Sequence, residues 1–353
     1  MSGLRAHLLA RIAEAGPMSV ADYMAACLMH PEFGYYATRD PFGAGGDFVT
    51  APEISQMFGE LLGLCLAQVW LDQGRPARFV LAELGPGRGT LMADVLRATR
   101  GVPGFRDVAE AHLVEGSPVL RAAQRRAIAG DVIWHDRVES LPEGPLYLLA
   151  NEFFDALPIR QFQRSGDGWR ERVVGQSAGQ LTLGLGGPVA PPALAVRLAD
   201  TREGDIVETC GAGEAVAAEI GARIAGQGGA ALTVDYGDWQ SLGDTFQAVK
   251  GHAPVDPLAE PGAADLTAHV DFAALARAAA PALHTRLTPQ GTFLERLGIA
   301  TRAEALARNL SGPALQSHLA AYQRLTGAEE MGTLFKVLGL YPEGAAPPPG
   351  LEP

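Results

Sequence analysis

The chain has 353 residues, with 28 Lys or Arg against 40 Asp or Glu, so its formal net charge is −12. Hydrophobic residues make up 47% and charged residues 19%, the composition of a folded protein long enough to bury a core without metal or disulfide. The acidic balance argues against nucleic-acid binding driven by bulk charge, the three dispersed cysteines (Cys27, Cys65, Cys210) against a zinc ribbon, and the short apolar runs against a membrane span.

Leu4, Leu8 and Ile12 share one face of a first helix that Gly16-Pro17 ends. Arg5 and Arg11 on that helix resemble a targeting leader only weakly, because Glu14 is present and no Ser-rich stretch follows. The spacing predicts a helix over Pro52–Trp70, preceded by a loop from His30 to Asp47 dense in Gly, Pro and aromatics. Residues 1–76 therefore read as a helical and loop segment covering a site. From residue 77 the text alternates. Strands are expected at Phe79–Glu83, Ala111–Glu115, Val132–His135 and Leu146–Asn151, with helices at Thr90–Arg100 and Val119–Ile128. This rhythm gives an α/β fold with a mostly parallel sheet, its first part over 77–158. Turn signals between alternating residues predict an inserted antiparallel ribbon over 159–209. The second part of the core, 210–341, holds a helix at Glu214–Ile224, a fifth strand at Ala230–Asp235, loops over 238–291, helices over 301–325 and a late strand at Leu334–Leu340. The Pro/Gly-rich residues 342–353 read as a flexible tail.

Two segments carry chemistry. In Leu81-Ala-Glu-Leu-Gly-Pro-Gly-Arg-Gly-Thr-Leu91, between a strand and a helix, Gly85, Gly87 and Gly89 permit a sharp turn and close approach of a ligand, and Thr90 opens the helix. The spacing is neither that of a phosphate-cradling loop, which needs a Lys, nor the G-x-G-x-x-G of a dinucleotide site. Glu83 just before it would repel a pyrophosphate and suits an ammonium group. Glu115, at the end of the second strand, is placed to accept two hydrogen bonds from a ribose diol, and Asp136, at the end of the third, to meet an adenine amine. A cation, a ribose and a base in that order describe S-adenosylmethionine, and Asn151 at the end of the fourth strand joins the same donor site. The plain alternative is a tight turn with incidental acids at strand ends.

The second segment is Leu146-Tyr-Leu-Leu-Ala-Asn-Glu-Phe-Phe-Asp-Ala-Leu-Pro158. Glu152 and Asp155 are suited to grip a guanidinium, with Phe153 and Phe154 stacking on its planar face. The competing reading makes the two acids caps of a following helix and the two rings core. Asp47, Phe48 and Tyr236 are further candidates for the acceptor pocket. Thr50 and Glu53 alternatively form a helix-capping box, and Tyr236 alternatively packs. His252 and His269, with Asp256, Asp265 and Asp271 near them, lack tight ligand spacing, so no metal is expected.

The chain resembles the MidA-like family of class I S-adenosylmethionine-dependent methyltransferases, whose eukaryotic members are mitochondrial complex I assembly factors. The likeness spans nearly the whole chain. It includes Gly46-Asp-Phe-Val-Thr-Ala-Pro-Glu-Ile-Ser-Gln56, Glu83-Leu-Gly-Pro-Gly-Arg-Gly-Thr-Leu91, Asn151-Glu-Phe-Phe-Asp-Ala-Leu-Pro158, Asp235-Tyr-Gly237 and Pro261-Gly-Ala-Ala-Asp-Leu-Thr-Ala-His-Val-Asp-Phe272. The resemblance implies a seven-stranded Rossmann-like core, methylation of a protein arginine and, in eukaryotes, a complex I subunit as partner in the mitochondrial matrix. For a bacterial chain the expectation is a cytoplasmic enzyme with a protein substrate, no nucleic acid and no membrane span; a homodimer is compatible with the sequence but not indicated by it. An assembly chaperone that binds S-adenosylmethionine with little catalysis is the alternative. An NAD(P)-dependent oxidoreductase is a third reading, which the glycine spacing disfavours.

Overall fold

The run Phe79-Val-Leu-Ala-Glu-Leu84 is buried at every position, as a strand covered on both faces must be. In the computed structural model, which describes residues 3–38 and 49–353, this run is β1 of a mostly parallel sheet. Along its main path follow β2 (Ala109–Val114), β3 (Ile133–His135), β4 (Leu146–Asn151), β5 (Gly229–Asp238), β6 (Leu283–His284) and β7 (Phe335–Tyr341), and two-residue strands, among them Thr288–Pro289 beside β7, bring the sheet to nine. Their order is β3-β2-β1-β4-β5-β7-β6. Strands β1 to β5 are mutually parallel and β7 is antiparallel to β5. The order reverses between β1 and β4, which makes their carboxyl ends the switch point where open α/β sheets take ligands.

Register sharpens this. Leu84 pairs with Val114 and with Ala150, Val114 with His135, and Asn151 with Val234. Four strand ends therefore stand level, and whatever follows each of them faces one common edge.

Two compact units make up the chain. The sheet lies in the unit formed by Val49–Phe154, Glu214–Gly237 and Leu275–Pro353. Here α1 (Ala51–Ile54) and α2 (Gln56–Asp72) precede β1, α3 (Thr90–Ala98) follows it, and α4 (Pro118–Ala127) joins β2 to β3. The expected helix over Pro52–Trp70 is thus two helices. Ser55 interrupts it with an extended backbone at φ −159°, and its hydroxyl accepts the Met57 N–H to cap α2. Helices α2 and α3 pack closely. A Cβ on Gly59 would lie 2.6 Å from Asp94 Cβ, and one on Gly63 would lie 3.0 Å from Val95 Cα. Phe58, Leu62, Leu66 and Trp70 of α2 are buried in the same core as Phe79, Leu81, Leu91 and Val95. That apolar face is why residues 49–76 belong with the sheet rather than with the N-terminal segment.

The second unit comprises Met1–Phe48, Asp155–Gly213 and Asp238–Ala274. Its first helix, Gly3–Ala15, buries Leu4, Leu8 and Ile12 as their spacing requires. The expected ribbon is present as Arg160–Ser165, Gly168–Ser177 and Gln180–Val189, with Ile206–Thr209 beside Arg160–Ser165. The segment read as loop-rich also contains strands, Gln247–Lys250, Ala253–Val255 and Asp265–Thr267. They have three or four residues each, too few for a period of two to be recognised.

Candidate active site at the carboxyl edge of the sheet

The glycine loop turns as its composition demands. Gly85, Gly87 and Gly89 all have positive φ, at 56°, 51° and 87°. The Gly85 N–H donates to Val114 O at 3.0 Å, and the Gly89 N–H to Pro86 O at 2.7 Å. Thr90, the first residue of α3, donates its hydroxyl to Glu53. Glu53 is therefore not spent on a capping box. Thr50 makes no side-chain cap bond, and only its carbonyl accepts the Glu53 N–H, at 3.0 Å.

Glu83 is 3% exposed, and its Oε2 is buried with no hydrogen-bond partner among the described residues. Burial pushes its carboxyl up to about 8, against the pull of the Met92 N–H. Glu115 follows β2 directly and is also buried. Its N–H donates to His135 O at 2.9 Å. Its carboxylate accepts the Ser117 N–H at 2.7 Å and Gln124 Nε2 at 3.2 Å. Burial raises its pKa and these two donors oppose the rise. Asp136 stands on the same edge, its side chain 82% exposed and paired with Arg121 at 2.6 Å.

The end of β4 is more constrained. Glu152 has a left-handed backbone, φ 50°, which a non-glycine residue adopts at a cost. Its N–H donates to Val234 O at 2.9 Å, continuing the ladder between β4 and β5. Its Oε1 accepts the Ala51 N–H at 3.3 Å and Asn151 Nδ2 at 3.1 Å. Asn151 Oδ1 is buried with no hydrogen-bond partner among the described residues. The Phe153 and Phe154 rings meet edge to face at 5.2 Å. Phe154 is buried, as its core reading had it, and its N–H donates to Asp235 Oδ2 at 3.0 Å. The ring of Tyr236 packs 5.5 Å from that of Phe335. No helix follows Pro158; the chain enters the strand at Arg160, so Glu152 and Asp155 do not cap one. Asp155 is the first residue of the other unit, where its carbonyl accepts the Ala268 N–H at 3.0 Å. Asp47 and Phe48 lie outside the described residues.

The fold thus brings Glu83, Gly85, Gly87, Gly89, Thr90, Glu115, Asp136, Asn151, Glu152, Phe153, Phe154 and Tyr236 into one unit, most of them on one edge of its sheet. A groove of about 750 Å³ opens there, lined among others by Val49, Glu152, Met331, Leu334 and Phe335. Two hydrogen-bonding roles escaped the sequence reading, which had Asp235 only as the end of the fifth strand. Asp235 is fully buried and accepts both the Phe154 and the Tyr236 N–H. Gln124 sits inside α4 with no flanking signal at all.

Residues 61–289 match the family of S-adenosyl-L-methionine-dependent methyltransferases. The chain belongs to that family. It is 38% identical to the zebrafish (Danio rerio) mitochondrial protein arginine methyltransferase NDUFAF7 over 362 residues, covering 94% of this chain and 85% of that one. It is 36% identical to the human (Homo sapiens) protein of the same name over 367 residues, covering 95% and 82%. A crystal structure from Burkholderia thailandensis with bound S-adenosyl-homocysteine superposes with a TM-score of 0.83 at 32% identity, covering 98% of this chain and 93% of that one. The cofactor is S-adenosylmethionine, and the residues on the edge suit it. A buried carboxylate oxygen without a donor at Glu83 matches an ammonium group, and the doubly held Glu115 matches a diol. Among the described residues no helix is long and apolar enough to cross a membrane.

Proposed function

We propose that this methyltransferase modifies an arginine side chain of a protein. The observation that carries the reading is Glu152. A strained acid at the tip of β4, held by Ala51 and Asn151 and lining a groove, supports the reading because its charge suits a cationic acceptor. The cofactor supplies an activated methyl group, so the protein's task is to position the acceptor nitrogen and to shield both reactants from water. Glu152 accepts guanidinium N–H groups and orients the nitrogen that takes the methyl group. Phe153 offers a half-buried ring to the planar cation. Asp155, three residues along the chain in the same motif, is the second acid suited to a guanidinium. Glu83, Glu115, Asp136 and Asn151 hold the donor.

The relatives' name, protein arginine methyltransferase, supports the acceptor class. By the family resemblance the proposal extends to a complex I subunit as the acceptor protein, in the mitochondrial matrix or a bacterial cytoplasm. The test is transfer of labelled methyl groups to whole-cell protein from a strain lacking the gene, with amino-acid analysis of the product. Methylarginine is expected, and label on lysine, a carboxylate or no residue at all would overturn the assignment.

A further inference from the structure

We propose that Gln124 is a positioning residue for the donor, locking the glycine loop and the ribose-side acid at a set distance from one another. The proposal rests on the reading of Glu115 as the ribose ligand.

Gln124 is fully buried on the inner face of α4. Its Nε2 donates to Gly87 O at 2.8 Å and to Glu115 Oε2 at 3.2 Å, while its Oε1 accepts the Trp134 indole N–H at 2.8 Å. Both amide hydrogens and the amide oxygen are thus engaged, with the glycine loop after β1, the residue directly after β2 and the middle residue of β3. The indole can only donate, so it decides which way the amide faces: oxygen toward Trp134, nitrogen toward Gly87 and Glu115. A hydrophobic residue of equal size would leave Gly87 O and Glu115 Oε2 without this donor, and a glutamate would oppose them with a second anion.

The same helix braces the edge one turn earlier. Arg121 donates Nε to Glu115 O at 2.7 Å and Nη2 to His135 O at 3.0 Å, besides its pair with Asp136. Arg121 holds main chain, whereas Gln124 holds the carboxylate itself. With Ser117 N–H on one oxygen and Gln124 on the other, Glu115 has one orientation, and its remaining lone pairs are presented in a fixed direction. A diol gains from that only if the carboxylate is already in place when it binds.

The readout is a ratio. Calorimetry would compare S-adenosyl-homocysteine with its 2′,3′-dideoxy analogue, which has no diol, on the wild type, Gln124→Met, Gln124→Glu and Glu115→Gln. In wild type the diol should tighten binding at least about tenfold, the scale of hydrogen bonds to a charged group. Gln124→Met should reduce that preference several-fold, and Gln124→Glu should reduce it further at neutral pH with partial recovery in acid. If Gln124→Met weakens both ligands equally, leaving the ratio as in wild type, Gln124 is merely structural and the proposal fails. If Glu115→Gln itself leaves the ratio unchanged, it is the ribose reading of Glu115 that fails. Should Gln124→Met not fold, Trp134→Phe removes the bond that orients the amide while keeping an aromatic ring beneath Arg125. It should shift the ratio in the same direction, and an unchanged ratio there overturns the proposal.

Discussion

Gly85 and Phe153 meet across the tips of β1 and β4: a Cβ on Gly85 would stand 2.9 Å from Phe153 Cδ2. The loop assigned to the donor and the segment assigned to the acceptor are therefore in direct contact, and neither can shift alone. Gly85→Ala adds a methyl group against the ring at a φ of 56°. Its strain of about 1–2 kcal/mol should be accompanied by displacement of the Phe153 ring. Both donor affinity and the acceptor KM should worsen, whereas Phe153→Leu in the same background should recover part of the donor affinity. Calorimetry on the two variants checks this; a single variant that binds donor as wild type does would show that the contact is idle.

Glu83 predicts a pH dependence. With its carboxyl pushed up to about 8 by burial, the free protein holds a proton there at neutral pH, and an ammonium ligand must displace it. Affinity for S-adenosyl-homocysteine should rise with pH until about 8 and then level, with proton uptake by the buffer on binding. Stability of the free protein moves the opposite way. The folded state binds more protons than the unfolded one between the ordinary glutamate value of 4.5 and about 8, so stability falls as pH rises through that window. Glu83→Gln should abolish binding, flatten this fall and leave the free protein more stable at pH above 8. Titrations in buffers of different ionisation enthalpy, and unfolding midpoints against pH, measure the two effects.

Glu152 separates binding from transfer. Glu152→Ala should abolish methyl transfer and leave donor affinity within about threefold of wild type, a change of under 1 kcal/mol. Equal loss of both would contradict its assignment to the acceptor. Because its φ is 50°, Glu152→Gly should be more stable than Glu152→Ala by about 1 kcal/mol while equally inactive, which thermal unfolding can resolve.

Asp136 tests the adenine end. Its pair with Arg121 is mostly in water, so Asp136→Ala should cost under about 1 kcal/mol of stability. If the carboxylate nevertheless meets the adenine amine, the same change should weaken S-adenosyl-homocysteine but not its inosine analogue, whose base lacks that amine. Identical losses for the two ligands would remove Asp136 from the donor site.

Much of this was legible in the sequence. The β1 and β4 strands are short uniform apolar runs ended by chemistry-bearing residues, and burial on both faces of a parallel sheet leaves such strands little choice of composition. The glycine loop was legible because positive φ at three alternate positions is costly for any other residue. The break at Ser55 was not, since it turns on one residue in a text whose period is otherwise unchanged, and the strands from Gln247 onward were not, since three or four residues are too few to show a period of two.

What the sequence by itself determined, then, was local: which stretches form strand, loop or helix, and which acids end each strand. Parallel pairing in level register, and not any motif, put those acids on one edge. Only the tertiary structure could assign Glu53 to Thr90 rather than to a cap, and Gln124 to the glycine loop and Glu115 together. Both assignments depend on hydrogen bonds between segments distant in the chain, and a buried amide or acid takes whichever partner the packed core brings within reach.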